Sequence, residues 1–399
     1  MTAARNIALY PWFKFFQNLL FWQAIWFLFF QSELSAAEAI LLYAVYDIAT
    51  TVLEVPSGYM SDRWGRRRTL IASACAGLVS CVLFALGSGF WVFALAQFAM
   101  GAHIAFASGT DSAFLYESLI EDGRADEVER EEVRAWRFAF VGLAISAILG
   151  GGLALFGLRW PFLASALAFV ALIALAWRFA EPARSPAPAD ESMRFQDLKA
   201  ALLNPVLGWL FALSVLFYGF SHLPFIFGQP FILEALGGSA FTETASLLSG
   251  GVTAAMMLIS VAASWAAPGL RKRFGLVPLL LFAFSIQIVL AAGLALSGSL
   301  LAIALLLLRK VPDSLAQPFI AARIQPMLKD DMRATYVSIR SLVARLLFAF
   351  SLFLASVEAS KVGLMSLEEI QAILWVYAVL GVVCLLALLI FARRVEVQG

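Results

Sequence analysis

Four ionisable residues lie within long apolar segments of the sequence, where they could carry protons. Asp47 and Glu54 are seven residues apart on one segment and so share nearly the same helical face, while His103 and Asp111 lie on another. A charge in hydrocarbon costs at least ~2.5–3.5 kcal/mol by insertion scales, so each residue is a candidate for a functional role. Desolvation favours a neutral carboxyl group, which would let Asp47, Glu54 or Asp111 bind and release a proton. For His103, a hydrogen bond to a neighbouring helix is the simpler interpretation.

A second set of ionisable residues in apolar segments is mostly cationic and consists of Arg309, Lys310, Asp313, Arg340 and Arg345. Asp313 lies four residues after Arg309 and three after Lys310, so an ion pair within one helix is geometrically easy. Pro312 removes a helical hydrogen bond beside that pair and predicts a kink. These side chains could form the cationic wall of a water-accessible cavity, or they could pair across helices and only specify packing.

The composition places these charges in a membrane protein. Of the 399 residues, 62% are hydrophobic and only 14% are charged, with a mean hydropathy of +0.87, whereas a soluble domain carries roughly 25% charged residues. The formal net charge of +1 suggests no nucleic-acid partner. Cys75, Cys81 and Cys384 lack metal-ligand spacing and are interpreted as packing residues. No P-loop or nucleophile–base constellation stands out, so neither an enzymatic activity nor a cofactor is predicted.

Twelve apolar segments are long enough to cross a membrane, since a spanning helix needs roughly 20 mostly apolar residues. They lie near 11–31, 36–57, 69–88, 90–118, 135–157, 160–180, 204–228, 243–267, 276–297, 299–326, 335–358 and 369–392. Lys14 interrupts the first segment near its cytoplasmic end, where the side chain would reach towards the membrane surface. The first segment has no small-residue cleavage site and is therefore predicted to be a retained helix.

The loops between these segments indicate the topology. Basic residues concentrate in alternate loops and near both ends of the chain, which places both termini in the cytoplasm. A stretch rich in proline and charge at 181–203 is predicted to be a cytoplasmic linker. It would separate an N-terminal six-helix bundle at 1–180 from a C-terminal six-helix bundle at 204–399.

A short loop between the second and third segments carries the most specific motif of the chain. It reads Gly58-Tyr-Met-Ser-Asp62-Arg63-Trp-Gly65-Arg66-Arg67-Arg68. This G-x-x-x-D-R-x-G-R-R-R pattern after a second transmembrane helix resembles the signature loop of the major facilitator superfamily of transporters, and Glu54-Val-Pro56-Ser before it fits many bacterial members. The resemblance covers nearly the whole chain. It implies an all-α membrane fold of about twelve helices in two six-helix bundles.

The resemblance also implies a charge network that controls access to a central cavity. Asp62 needs a cation or a helix N-terminus as its partner, and Glu117 is the nearest acid on the same membrane face. The residues assigned to this gating network are Gly58, Asp62, Arg63, Gly65, Arg66, Arg67, Glu117 and Arg340. The network would hold the start of the eleventh helix, from Arg333 to Arg340, in the outward-open state. The alternative is that the arginines only set the topology and bind lipid phosphates.

The first and seventh helices line the cavity in proteins that this chain resembles, and here both carry aromatic residues at helical spacing. An aromatic wall would suit an amphipathic or aromatic substrate. The residues assigned to the substrate cavity are Asn18, Trp22, Trp26, Tyr218, His222, Arg309, Lys310, Asp313 and Arg345. For any single aromatic residue, packing or lipid contact is the simpler interpretation.

Two features depart from the pattern of proton-driven drug exporters in this superfamily. Those exporters usually carry an arginine in the fourth helix where this chain has Gln97, and a proline in the glycine-rich fifth helix, where Gly142 to Gly152 include none. In addition, the second half repeats the signature loop with Lys272 in the place of Asp62. The glycines of the fifth helix still predict close packing between helices.

These features favour a secondary active transporter that exports a small amphipathic organic molecule in exchange for protons. The first alternative is a carrier for an anionic or zwitterionic solute that the cations of the tenth and eleventh helices would bind. The second is a membrane sensor or scaffold that does not transport. The expected partners are a small-molecule substrate, protons and membrane lipids, and no nucleic acid. We expect a monomer in the bacterial cytoplasmic (inner) membrane.

Overall fold

A computed structural model describes residues 2–34, 36–183, 191–235, 245–296, 300–357 and 367–395. Within these ranges the chain is helical and contains no β-strand, as an all-α membrane protein requires. Its helices are α1 (Thr2–Gln17), α2 (Trp26–Glu33), α3 (Ala36–Trp64), α4 (Arg66–Leu86), α5 (Phe90–Ala107), α6 (Thr110–Glu121), α7 (Val128–Leu153), α8 (Trp160–Arg178), α9 (Glu191–Leu203), α10 (Pro205–Ala235), α11 (Ala245–Phe274), α12 (Leu276–Leu296), α13 (Leu300–Leu307), α14 (Val311–Ile324), α15 (Arg333–Val357) and α16 (Leu367–Val395).

Nine stretches of the described residues are long and apolar enough to cross a membrane, by length and composition. Each of them matches one of the twelve predicted spans. The spans predicted at 11–31, 36–57 and 299–326 do not meet this criterion. The first and third of these are divided into shorter helices, and α3 carries several acids along its length.

Three predicted spans are interrupted in the structure. The first consists of α1, a short 3-10 helix at Phe21–Ala24, and α2. The fourth breaks between α5 and α6, where Gly109 adopts a left-handed φ of 69° that glycine tolerates. The tenth breaks between α13 and α14 just before Pro312, as the proline predicts. Irregular backbone at membrane depth must be satisfied by protein or by a water-filled cavity, so these breaks mark candidate sites.

The helices cluster into two compact units. One comprises Met1–Ala201, Thr244–Leu258 and Ala321–Leu342, and the other comprises Leu202–Glu243, Ile259–Ile320 and Val343–Gly399. The first unit therefore includes the start of α15, which belongs to the second half of the sequence. The predicted division of the chain at 181–203 stays a prediction.

Phenylalanine rings form much of the interior of the first unit. Phe29, Phe84, Phe93 and Phe162 are buried, and the ring centroid of Phe29 lies 4.7 Å from that of Phe162 and 5.4 Å from that of Phe93. Each aromatic ring buries a large apolar area. The cluster therefore holds α2, α4, α5 and α8 together through apolar contact.

Glycines in α7 bring that helix close to the first predicted span. A Cβ atom on Gly142 would lie 2.6 Å from the carbonyl oxygen of Phe15, and one on Gly150 would lie 1.9 Å from that of Phe21. No side chain fits at either position without displacing the neighbouring backbone. The close packing predicted for the glycine-rich fifth span is confirmed.

The second unit is built on α10, α12 and α16. Trp209 donates its indole N–H to the carbonyl oxygen of Leu388 at 3.0 Å, and the rings of Phe217 and Phe284 lie 5.8 Å apart. A Cβ atom on Gly381 would touch the ring of Phe220 at 2.8 Å. Aromatic packing across these three helices thus resembles that within the first unit.

The stretch predicted as a linker contains a helix, α9, which its proline-rich composition did not predict. Residues 184–190 of that stretch lie outside the described residues. The prolines all precede residue 189, so they do not interrupt α9. Asp197 of this helix forms an ion pair with Lys329 at 2.7 Å.

The signature loop and its incomplete copy share a backbone conformation. Gly65 and Gly275 have positive φ values of 114° and 90°. Their backbone N–H groups bond to the carbonyl oxygens of Ser61 and Arg271, four residues earlier, at 3.2 and 3.0 Å. The turn is therefore common to both halves of the sequence, whereas the acid at position 62 is specific to the first.

Candidate functional site

Arg66 is the centre of a buried charge network at the start of α4. Its side chain is completely buried. Nε and Nη2 donate to the carboxylate of Glu117 at 2.7–3.2 Å, and Nη1 donates to Asp62 and, at 3.1 Å, to Ser61 Oγ. Nη2 also donates to the carbonyl oxygen of Asp330 at 2.8 Å. All five N–H donors of the guanidinium thus have acceptors, which is what a buried charge needs to offset its desolvation.

Asp62 binds the N-terminus of α15. Its Oδ1 accepts the backbone N–H of Ala334 at 3.1 Å, and its Oδ2 accepts the backbone N–H of Thr335 at 2.8 Å and the hydroxyl of Thr335 at 2.5 Å. A carboxylate at this position satisfies amides that have no partner within the helix and is favoured by the helix dipole. Asp62 therefore has both partners that the sequence offered as alternatives, an arginine and a helix N-terminus.

Arg333 and Asp330 extend the network at the start of α15. Arg333 Nη1 lies 2.5 Å from Asp330 Oδ1 and 3.4 Å from Glu117 Oε1, and its guanidinium carbon lies 4.8 Å from the centre of the Tyr116 ring. Glu117 is thus shared by two arginines. Neither Asp330 nor Arg333 is among the residues predicted from the sequence for this network, although the acid precedes the base by three residues.

Two glycines allow α15 to approach α3 and α6. A Cβ atom on Gly58 would lie 2.5 Å from Ser338 Oγ, and one on Gly109 would lie 2.8 Å from Val337 Cβ. Larger residues would push α15 away from Asp62. Gly58 was assigned to this network from the sequence, whereas Gly109 was not.

Three other arginines assigned to the network contact different groups. The exposed Arg63 lies with its guanidinium carbon 5.8 Å from the ring centre of Tyr59. Arg67 donates Nη2–H to the carbonyl oxygen of Trp177 at 2.9 Å. Arg340, in α15, interacts electrostatically with Glu54. Arg66 is therefore the arginine around which the network forms.

Glu181 caps the N-terminus of α4, a contact that the sequence did not reveal. Its Oε1 accepts the backbone N–H of Arg66 at 2.5 Å, and its Oε2 accepts that of Arg67 at 3.0 Å. Gly65 gives the carboxylate access, because a Cβ atom there would lie 2.8 Å from it. The acid after α8 thus fixes the helix that carries Arg66.

Glu181→Ala is expected to lower the free energy of unfolding by about 0.5–2 kcal/mol, the usual cost of losing a helix N-cap. Glu181→Gln should cost less, because its amide oxygen can still accept one of the two backbone bonds. Thermal unfolding of the purified protein measures both effects. Unchanged stability in Glu181→Ala would contradict the capping role.

A second charged cluster joins α1, α6 and α7. Lys14 Nζ lies 2.6 Å from Asp111 Oδ2, and both side chains are largely buried. The prediction that Lys14 reaches towards the membrane surface is therefore wrong, because Asp111 provides a carboxylate inside the protein. Glu132 of α7 is 2% exposed and interacts with both residues. Glu132 is not among the residues predicted from the sequence, because it precedes the predicted span at 135–157 and lies in a charge-rich stretch.

His103 is held between helices. Its Nδ1 lies 2.9 Å from both the hydroxyl and the carbonyl oxygen of Ser73, and the Ser73 hydroxyl also bonds to the carbonyl oxygen of His103 at 2.8 Å. The imidazole packs edge-on against Phe169, with the ring centroids 4.9 Å apart. The interhelical hydrogen bond expected for this histidine is confirmed.

The two acids of α3 lie in different environments. Glu54 is completely buried and interacts with Arg340 of α15, whereas Asp47 is exposed and interacts with Tyr43 one turn earlier. Their spacing of seven residues does not therefore produce a common site. The assignment of Glu54 and Asp47 as candidate proton carriers stays a prediction.

A mixed aromatic and ionic cluster lies in the second unit, between α10, α14 and α15. Arg345 Nη1 donates to Tyr218 Oη at 3.1 Å, and its guanidinium carbon lies 5.3 Å from the ring centre. The imidazole of His222 lies 4.1 Å from the same ring. Lys310 pairs with Asp313 at 2.8 Å, which confirms the ion pair expected from their spacing. Lys310, Arg345 and Asp313 all act electrostatically on His222.

Among the described residues of this cluster in the second unit, cations outnumber acids. Arg309 also interacts with Asp313, so the carboxylate faces more than one cation. Phe348 adds a third ring, 6.0 Å from that of Tyr218. The arrangement can bind an aromatic or amphipathic molecule through its rings and a negative group through its cations.

The residues assigned to the cavity in the first unit have packing or capping contacts. Trp22 stacks on Phe162 at 6.2 Å with the ring planes 4° apart, and Trp26 meets Tyr43 edge-on at 4.7 Å. Asn18 donates its side-chain amide to the carbonyl oxygen of Lys14 at 2.8 Å and so caps the end of α1. In the described parts of the chain, no group of three or more His, Cys, Asp or Glu side chains could hold a metal ion.

Residues 11–351 match a family model described as Major Facilitator Superfamily. A relative from Planococcus maritimus, named Na(+), Li(+), K(+)/H(+) antiporter, is 28% identical over 173 residues, which make up 42% of this chain and 40% of that protein. The chain thus matches less than half the length of this curated relative.

Solved transporter structures share the fold at low sequence identity. The E. coli fucose:proton symporter FucP is 15% identical with a TM-score of 0.69, covering 99% of both chains. A bacterial homologue of the iron transporter ferroportin is 16% identical with a TM-score of 0.70, covering 99% of this chain and 100% of that one. The human organic anion transporter MFSD10 is 14% identical with a TM-score of 0.72, covering 97% of this chain and 100% of that one.

Proposed function

Because this chain belongs to the major facilitator superfamily and is a membrane transporter rather than an enzyme, we propose that it exchanges protons for a small amphipathic organic molecule by alternating access. The observation that carries this proposal is the buried network of Asp62, Arg66 and Glu117 at the N-terminus of α15. Asp62 and Ala334 are 272 residues apart in the sequence. Polar contacts of this kind can open and close as a unit, which suits a gate between the two halves of the chain.

Exchange with protons is supported by the similarity to a cation/proton antiporter over part of the chain and by the buried acids of the first unit. The membrane potential and pH gradient of bacteria draw protons inward. A carrier that admits protons in exchange therefore drives its cargo outward. We thus propose export as the direction of transport.

The cargo is proposed from the cluster in the second unit. Rings of Tyr218, His222 and Phe348 lie beside charged groups of Lys310 and Arg345. A pocket that combines apolar faces with a few fixed polar groups selects amphipathic molecules.

The orientation in the membrane is proposed from the basic loop. Arg63 and Arg68, on either side of the α3–α4 turn, are exposed. Lysine and arginine are retained on the cytoplasmic side, so this loop and both termini are placed in the cytoplasm. The protein is proposed to act as a monomer in the bacterial cytoplasmic membrane.

Proteoliposomes with an acidic interior and a pH-sensitive dye test the proposed exchange. Added ethidium or tetraphenylphosphonium should dissipate the pH gradient faster than in empty liposomes. A second arm of the experiment tests sodium, lithium and potassium chloride, with choline chloride as the reference. These cations are chosen because the Planococcus maritimus relative is named as their antiporter. A gradient that no compound dissipates would contradict antiport and favour a sensor or scaffold.

A carrier for organic anions is the second candidate, and the excess of cations around Asp313 supports it. If it is correct, benzoate should raise the melting temperature of the purified protein, since a ligand of the native state stabilises it. Arg345→Gln should remove most of that shift, while the shift with ethidium should persist. Equal benzoate shifts in Arg345→Gln and the wild type would contradict anion binding at this cluster.

A further inference from the structure

The carboxylate of Asp111 pairs with the one ammonium group of this cluster, and that of Glu132 interacts with it electrostatically. Lys14 pairs with Asp111 at 2.6 Å, and both residues act on Glu132. With all three groups ionised, the cluster carries one uncompensated negative charge inside the protein. Its other titratable neighbours are Tyr10 of α1, which interacts with both acids, and His103 of α5, which faces Lys14. A buried unbalanced charge is costly, and one proton would remove it.

Glu132 is the acid that lacks full hydrogen bonding. Its Oε1 is buried and has no hydrogen-bond partner, although Ser112 lies in hydrogen-bond contact with the carboxyl group. By contrast, Asp111 has both Lys14 and the backbone N–H of Ser112 as donors. A buried carboxylate oxygen without a donor loses its hydration without replacement, so the neutral carboxyl is favoured at Glu132.

The cluster lies where two helices are broken. Lys14 is in the last turn of α1, just before the irregular stretch that leads to α2, and Asp111 is in the first turn of α6, just after Gly109. Interrupted helices recur at the ion and substrate sites of transporters. The side chains of Lys14 and Asp111 are 16% and 13% exposed, so the protein does not enclose the pair completely.

Helix α6 carries Asp111 of this cluster and Glu117 of the buried network. Asp111 and Glu117 are six residues apart, or ~9 Å along the helix at 1.5 Å per residue. A shift of α6 that accompanies protonation would act directly on the bonds between Glu117 and Arg66. Proton binding is therefore connected through α6 to the network of Glu117, Arg66 and Asp62 that binds the start of α15.

We propose that Lys14, Asp111 and Glu132 form the site that binds the coupling proton, a proposal that rests on the proton exchange proposed above. The proton adds to the Glu132 carboxylate and forms a neutral carboxyl group, while Lys14 stays paired with Asp111. Release returns the proton to water and leaves the two acids to share Lys14. Because the acids interact, the titration belongs to the pair rather than to one residue.

Infrared difference spectroscopy of the purified protein in lipid tests the site, since a protonated carboxyl group has its own C=O band. The wild type should show a band that titrates with pH. Glu132→Gln and Asp111→Asn should each remove it, because the remaining acid then pairs with Lys14. In Lys14→Met the band should persist to higher pH, because the cation that opposes protonation is gone.

Glu131→Gln is the matched control. Glu131 is adjacent in α7 and equally buried, but it pairs with Arg134 at 3.3 Å, so its loss should leave the band unchanged. A titrating band that persists in both Glu132→Gln and Asp111→Asn, with wild-type melting temperatures, would overturn the proposal. Loss of the band in both variants but not in Glu131→Gln supports it.

Proton flux in proteoliposomes separates this proposal from the proposed function. If the two variants lose both the band and the ethidium-driven flux, both proposals are supported. If they lose the band but the wild type drives no flux with any compound, the protein binds a proton there and antiport fails. If they keep wild-type flux, antiport stands and this cluster is not its coupling site.

Discussion

Asp62→Asn is expected to abolish transport while expression and membrane insertion stay intact. The asparagine oxygen can still accept a backbone N–H at the start of α15, but its amide N–H groups would face the N–H donors of Arg66 or of the Thr335 backbone. The substitution also removes the charge that is attracted to the helix N-terminus and to Arg66. Arg66 keeps Glu117 as its carboxylate partner at 2.7 Å, so the protein should still fold and the loss should appear in transport.

Dye-monitored proton flux in proteoliposomes measures this effect, with ethidium as the first compound. Asp122→Asn is the control, because Asp122 is a partly exposed acid that pairs with Arg124 at 3.5 Å outside the network. The control should transport like the wild type. Wild-type flux in Asp62→Asn would refute the gate and favour the view that the loop only sets topology.

The centre of the buried network could be predicted from the sequence because a short motif carries it. Asp62 and Arg66 are four residues apart in one loop, and Glu117 was the nearest acid expected on that membrane face. Asp330 and Glu181 could not be found in this way. Their contacts to Arg66 cross 264 and 115 residues of sequence, and no local pattern encodes which distant acid or carbonyl group meets an arginine.

Helix breaks were predictable only where the local chemistry demands them. Pro312 cannot donate a backbone bond, and the tenth span breaks beside it. The break between α1 and α2 contains neither proline nor glycine, so its cause lies in tertiary contacts. Phe21, in this break, donates its backbone N–H to Ser165 Oγ at 3.0 Å, which replaces a helical bond with one to α8.

The surroundings of Lys14 and of Glu132 are not encoded in the local sequence, for the same physical reason. Apolar periodicity shows which residues face lipid or protein, but it does not show which helices are neighbours. Lys14 near a membrane surface and Glu132 in a charged run each had an ordinary explanation in isolation. Only the packing of α1, α6 and α7 reveals that both residues lie near Asp111.

The largest effect on stability is expected from breaking the pair between Arg66 and Glu117. Removing one partner of a buried ion pair costs about 3–5 kcal/mol, because the other charge stays buried without compensation. Glu117→Met leaves both Arg66 and Arg333 short of a carboxylate, and Arg66→Met leaves Glu117 with only the longer contact to Arg333 at 3.4 Å. Each single variant should therefore unfold at a markedly lower temperature.

The double variant Arg66→Met/Glu117→Met should be less destabilised than the sum of the two single variants, because it removes both charges together. In the double variant Asp62 still accepts the backbone N–H groups at the N-terminus of α15, and Arg333 still forms its ion pair with Asp330 at 2.5 Å. Each remaining charge therefore retains a partner. Thermal unfolding of the four proteins gives the coupling energy, which is expected to exceed the ~0.3–0.5 kcal/mol scatter seen for independent sites.

Glu121→Gln, on the exposed end of α6, is the control and should change the stability by no more than about 0.5 kcal/mol. Strictly additive losses would mean that Arg66 and Glu117 act independently, and the network would then be a set of separate contacts.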